Sequence, residues 1–139
     1  MGMYSPVTAR GYPPLVSITK VQLFSVPVTD QDRARDFYVG VLGMELVREM
    51  QMGPGMRWVQ VRPVGVATSI TLVTWFESMP AGSLTGLVLE TDDLDGDAAR
   101  LRERGVVMDD AIASAPWGRS IGFADPDGNR LILQSTTAR

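Results

Sequence analysis

The sequence predicts an α+β domain built from two repeated βαβββ modules. Three observations lead there. Apolar runs rich in β-formers outnumber the stretches with helical periodicity, of which there are two strong ones. Each helical stretch opens on aspartate and stops at glycine. The spacing from Asp30 to Gly43 equals that from Asp92 to Gly105, which marks an internal repeat.

Each element has its own signal. Residues 1–20 hold Pro6, Pro13, Pro14, Gly2 and Gly11, and are expected to form a flexible leader ahead of one domain over residues 21–139. Val21–Val28 reads as a strand. Asp30 caps a helix whose apolar face is Ala34, Phe37, Tyr38, Val41 and Leu42, with Gly43 as its stop. Strands follow over Met44–Met50, Met56–Arg62 and Ala67–Phe76, jointed at Gly53-Pro54-Gly55 and Pro63-Val64-Gly65. A polar linker over residues 78–83 separates a first module (about 21–77) from a second (about 84–135). In the second, Leu84–Thr91 reads as a strand and Asp93–Arg104 as a helix capped by Asp92 or Asp93. Val106–Met108 reads as the next strand. Ser120–Ala124 and Arg130–Gln134 form a hairpin around Asp125-Pro-Asp-Gly-Asn129.

Composition narrows the function. At 139 residues, with 45% hydrophobic and 21% charged side chains, the chain suits one globular domain. A net charge of −3 with no Lys/Arg stripe gives nucleic acid nothing to hold. No apolar run reaches membrane-spanning length and no basic-then-apolar signal opens the chain, so no membrane partner and a cytoplasmic location are expected. There is no cysteine and no histidine. Thiolate chemistry and imidazole chemistry are both excluded, and a metal would need an all-oxygen site.

The ordered series Val28-Thr-Asp-Gln-Asp-Arg-Ala34, Phe37-Tyr38, Leu42-Gly43-Met44, Asp92-Asp93-Leu94-Asp95, Leu101 to Gly105, Trp117-Gly118 and Phe123-Ala-Asp-Pro-Asp-Gly-Asn129 resembles the vicinal-oxygen-chelate (glyoxalase/bleomycin-resistance) superfamily. The resemblance spans about residues 21–135. It implies the paired-module fold, in which the two βαβββ modules form a curved mixed sheet. It says little of the reaction, because the superfamily hosts many. Most of the motif residues read as architecture: Phe37 and Tyr38 as packing, Asp30, Asp32 and Asp92 as caps, and residues 125–129 as a tight turn.

In metal-dependent members of the superfamily, four strand residues bind the ion. Carried onto this chain by the motif spacings, those positions fall on Leu23, Thr71, Leu87 and Ile132. Leucine, threonine and isoleucine do not hold a divalent cation, and sliding by one residue does no better. The expectation is therefore no metal, no cofactor and an apolar pocket. The metal-free relatives that the resemblance brings in are drug-sequestering dimers, so a homodimer with a small-molecule ligand is expected.

Trp58, Trp75 and Trp117 are the candidate ligand platform, since planar compounds stack on indole. Met56 offers an adaptable rim, Arg119 a charge, and Ser25 and Thr71 hydroxyls, beside Leu23, Leu87 and Ile132. A tryptophan in a small domain serves equally in the core or at a dimer interface, and arginine on a strand is commonly a paired surface residue. Two functions stay open. One is sequestration of an aromatic or hydrophobic compound such as an antibiotic. The other is a metal-independent isomerase, cyclase or lyase acting on a natural-product intermediate. For the latter Glu90 is the candidate acid–base group, although strand alternation puts it on the face opposite Leu87.

Overall fold

Eight strands and two helices make up the chain in the computed structural model, which describes residue 11 and residues 15–136. β1 (Leu23–Pro27), β2 (Glu45–Gly53), β3 (Met56–Arg62) and β4 (Ser69–Val73) form one sheet in the order β1-β4-β3-β2. β5 (Thr85–Glu90), β6 (Ala113–Ala115), β7 (Gly118–Ala124) and β8 (Arg130–Ser135) form the other, in the order β5-β8-β7-β6. In each sheet the opening strand runs parallel to the closing one, β1 with β4 and β5 with β8, and all other pairs are antiparallel. The two sheets are thus the same mixed motif repeated, as the spacing of caps and glycines predicts.

The leader expected over residues 1–20 lies largely outside the described residues. Residues 15–20 are exposed and carry no regular structure.

The first helix, α1 (Gln31–Arg35), starts where the Asp30 carboxylate accepts the Arg33 N–H, one of the donors that the first turn leaves unpaired. It runs into a π-helical turn over Asp36–Val41, where the Leu42 N–H reaches the Phe37 carbonyl at 2.9 Å. The second helix, α2 (Leu94–Glu103), is capped by Asp93 through the Gly96 N–H. Of the two capping aspartates that the sequence offers, the structure selects Asp93. From cap to stop glycine the first helix then takes thirteen residues and the second twelve. The π turn absorbs the extra residue, since its wider winding inserts one position without shifting either end.

Two strand expectations change. Val106–Met108 is not a strand but touches β7 only through a bridge from Met108 to Phe123. The edge strand is β6, Ala113-Ser-Ala115, too short and too small-sided to leave a sequence signal.

One apolar cluster serves both modules. It joins Val26, Val59, Val61, Ile70 and Leu72 of the first sheet to Ile121, Phe123, Leu131 and Leu133 of the second. Phe37, Tyr38, Leu94, Ala98 and Leu101 of the helices complete it. Phe37 and Tyr38 meet edge to face with centroids 5.4 Å apart.

A polar network crosses the same boundary. The fully buried Tyr38 hydroxyl donates to Asp125 Oδ2 at 2.9 Å, and Asn129 Nδ2 donates both to that oxygen and to the Pro27 carbonyl, each at 2.8 Å. Asp125 Oδ1 accepts the Asp127 and Asn129 N–H groups. Burial, then the adjacent Asp125 carboxylate, push the Tyr38 phenol far above its ordinary range. A phenol raised in the folded state contributes stability that is intact below the unfolded pKa of about 10 and is lost as pH rises past it. Tyr38→Phe should therefore cost about 1–3 kcal/mol in urea denaturation at neutral pH. The same variant should lose less stability than the parent between neutral pH and a pH above 10. Equal stability of the two proteins at neutral pH would show that the bond contributes nothing.

Candidate functional site

Each sheet turns one face to the shared core and leaves the other open, and alternation assigns residues to faces. In the first sheet Phe24 and Val26 belong with the core, so Leu23, Ser25 and Pro27 lie on the other, open face, beside Ser69, Thr71 and Val73 in register; of these Pro27, Ser69, Thr71 and Val73 are themselves buried. Thr71 pairs with Gln60 of β3, which puts Trp58 and Met56 on that face too, with Met50 opposite Trp58. The face is mixed in character. Ser25 and Thr71 spend their hydroxyls on each other at 3.1 Å, and the Trp58 indole N–H is held by Gln60 Oε1 at 3.0 Å. What remains toward solvent is indole surface, thioether and, opposite Gln60, the exposed Arg48.

In the second sheet Leu87, Leu89, Leu131 and Leu133 pack on the core. The open face accordingly carries Val88, Ile132 and Gly122 in one row across three strands, and Glu90, Gln134 and Ser120 in the next.

Five of the expected site residues therefore share open faces: Leu23, Ser25, Thr71 and Trp58 on the first sheet and Ile132 on the second, with Met56 at the rim of the first. Two do not. Leu87 points into the core, and the position beside Ile132 on the open face is Val88. Leu87 is placed by its spacing of six residues before Asp93, and a count one residue off on a strand reverses the face. Arg119 sits on the helix side of β7, where both oxygens of Asp95 on α2 bind its guanidinium at 2.9 and 3.0 Å. Trp75 lies half-buried beyond β4, tilted against Phe76 with centroids 6.0 Å apart. Trp117 is 71% exposed in the turn between β6 and β7. Glu90, read from Leu87 as the residue of the other face, does lie opposite it, and that face is the open one.

A groove of ≈ 470 Å³ also opens between the modules, lined by Val41, Met44, Leu89, Leu133, Arg100 and Arg104 among others. Its cations are committed. Arg104 donates to the Gly40 and Val41 carbonyls, and Arg100 pairs with Asp93 and Asp97. A shallower hollow beside α1 borders a closed charge group, in which Arg35 and Arg57 bind Glu49 and Asp32. The hydrogen bonds from Arg57, then those from Arg35, hold Glu49 below the usual carboxylate range. Neither hollow offers an uncommitted cation to a ligand, although Glu90 also lines the groove between the modules.

The sequence profile of the Glyoxalase/Bleomycin resistance protein/Dioxygenase superfamily matches residues 20–133. The chain belongs to this superfamily. Among solved structures, TnmS3, an antibiotic binding protein from Streptomyces sp. CB03234, is 52% identical to this superfamily member. The match covers 88% of this chain and 99% of that one, with a TM-score of 0.83. A glyoxalase/bleomycin resistance protein from the same Streptomyces strain is 54% identical over 81% of this chain and 96% of its own, with a TM-score of 0.73. A superfamily member from Sphaerobacter thermophilus DSM 20745 is 39% identical over 85% and 98%, with a TM-score of 0.80.

The superfamily's metal-binding chemistry can be tested against the register. The paired positions on the open faces are Ser25 with Thr71 and Val88 with Ile132. Two hydroxyls bonded to each other and two aliphatic side chains do not form the donor set a divalent cation requires. Among the described residues no group of three His, Cys, Asp or Glu side chains converges elsewhere. No helix among them is long and apolar enough to cross a membrane.

The face assignment is directly measurable. Leu87→Ala should destabilise the fold by about 1–3 kcal/mol, while Val88→Ala, on the solvent side, should cost under about 1 kcal/mol. Equal costs would return Leu87 to the open face.

Proposed function

We propose that this chain is a metal-independent binding protein that sequesters a planar aromatic or hydrophobic compound, such as an antibiotic, on the open faces of its sheets. The observation that carries the reading is the likeness to an antibiotic binding protein, 52% identical over 88% of the chain, on a fold whose open faces present indole and aliphatic surface. Sequestration needs shape, stacking and desolvation but no reactive group, which suits a chain without His or Cys. Trp58 is the stacking platform on the first sheet. Ser25 and Thr71 line that face, and Val88 takes the place assigned to Leu87 beside Ile132.

The binding unit is a homodimer. Val88, Met50, Met52 and Met56 are all more than 40% exposed in the single chain, and an apolar surface of this kind is covered by a partner or a ligand in stable soluble proteins. Sedimentation at micromolar concentration should give the mass of two chains; a monomer there would remove this part of the reading.

Native mass spectrometry of the protein from its own host tests the whole. Retention of an organic adduct without divalent metal supports sequestration, and stoichiometric metal overturns it. For a planar ligand found in this way, Trp58→Ala should raise Kd by about tenfold or more while leaving the fold intact, the weight of one good aromatic contact. A loss of folding with unchanged affinity of the folded fraction would assign Trp58 to the core instead.

One observation favours the enzymatic alternative, an isomerase, cyclase or lyase. Glu90 stands on the open face two positions from Val88, where a carboxylate can reach a bound ligand. Glu90→Gln should then abolish conversion of the retained compound and leave its binding unchanged.

A further inference from the structure

The open face of the second sheet is graded. An aliphatic row of Val88, Ile132 and Gly122 is flanked on one side by Glu90, Gln134 and Ser120, and on the other by Arg130. Rows two residues apart are separated by about 6.6 Å, so the two flanks stand about 13 Å apart. A fused planar ring system fits between them along the aliphatic row.

Arg130 does not extend away from this surface. Its guanidinium crosses β7 to reach Asp109 Oδ1 at 2.9 Å, and Asp109 Oδ2 in turn accepts the Gly122 N–H at 3.0 Å. The guanidinium passes directly over Gly122. A Cβ there would lie 2.8 Å from Arg130 Nη2 and 2.7 Å from Asp109 Oδ2, so any other residue would push these two side-chain ends aside. This seat is not explained by stability. Both partners of the ion pair are well exposed, at 38% and 54%, and such pairs return little. Glycine in a strand interior costs a comparable amount. Among the described residues the Arg130 guanidinium makes no hydrogen bond besides the one from Nη2 to Asp109, which leaves its Nε–H and Nη1–H donors for another acceptor.

We infer that Arg130 is a specificity-determining anchor of the ligand site, seated over Gly122 and oriented by Asp109, which bonds an oxygen acceptor on the edge of a planar ligand lying along Val88 and Ile132. The inference rests on the binding reading above and adds the polar chemistry of the ligand: a carbonyl, phenolate or acid group at one end of its ring system. Guanidinium suits this role because its fork meets two oxygen lone pairs at once and its plane stacks on rings.

Two fluorescent probes separate the anchor from the cleft. Anilinonaphthalene sulfonate and phenylnaphthylamine share one ring system, and only the first carries an acidic group. The wild type should bind both. Arg130→Gln should weaken the sulfonate by about tenfold or more, the weight of one charged hydrogen bond, and leave the uncharged probe within about twofold. Gly122→Ala should shift affinities in the same direction by displacing the guanidinium. Trp58→Ala should weaken both probes. Melting of Arg130→Gln within about 4 °C of the parent confirms that the exposed pair is not holding the fold. Equal effects of Arg130→Gln on the two probes, or no effect on either, overturn the anchor while leaving the binding reading in place. A wild type that holds neither probe overturns the binding reading and the anchor with it.

Discussion

The relation between the two modules hangs on one buried carboxylate. Asp125 is nearly inaccessible, and an ionised carboxylate withdrawn from water survives only when its oxygens are filled. Four donors fill them: the Tyr38 hydroxyl from the first helix, the Asn129 amide, and two backbone N–H groups of its own turn. Asn129 then carries the connection onward to the Pro27 carbonyl at the end of β1 and, through its Oδ1, to the Leu84 N–H at the entry of β5. One turn thus fixes the end of one sheet, the start of the other and the helix between. The position of each open face follows from that clasp, because the sheets have no strand pairing with each other.

Much of this architecture could be read from the amino acids, and the reasons are local. Caps, stop glycines and apolar periods are written within a few residues, so both helices and most strands are legible. The turn Asp125-Pro-Asp-Gly-Asn129 was legible as a turn. Its second role was not, since the partners Tyr38 and Pro27 stand 87 and 102 positions from Asp125 and Asn129. The π turn was equally hidden. It has no composition signature, yet it gives the first helix one residue more than the second between cap and stop glycine. Arg119 illustrates the same limit. Nothing near it in sequence announces Asp95 as its partner, and only the pairing of β7 with β8 puts it on the helix side.

The side chains at the paired positions of the open faces do not fit a divalent cation, although the fold is that of the superfamily. Ser25 and Thr71 close on each other, and Val88 with Ile132 offers only hydrocarbon. A site so composed cannot polarise a substrate through a cation held there. Its means of recognition are area, shape and the few polar groups at its margins.

Those margins differ between the sheets, and the difference is informative. The first face is furnished chiefly with large, adaptable side chains, Trp58, Met50 and Met56, whose own polar atoms are absent or already bonded, with Arg48 opposite Gln60 on its outer strand. The second is furnished with small ones, Val88 and Gly122, between flanks that keep charge. Indole and thioether surface gives affinity to a flat ligand without fixing its orientation in the plane. A charge at one end of a smooth aliphatic row fixes orientation with little contact area. A ligand that engaged both kinds of surface would take its binding energy chiefly from the first sheet and its alignment chiefly from the second. Substitutions on the two sheets should then separate affinity for ring surface from discrimination among ring substituents, and Gly122, with no side chain of its own, belongs with the residues that discriminate.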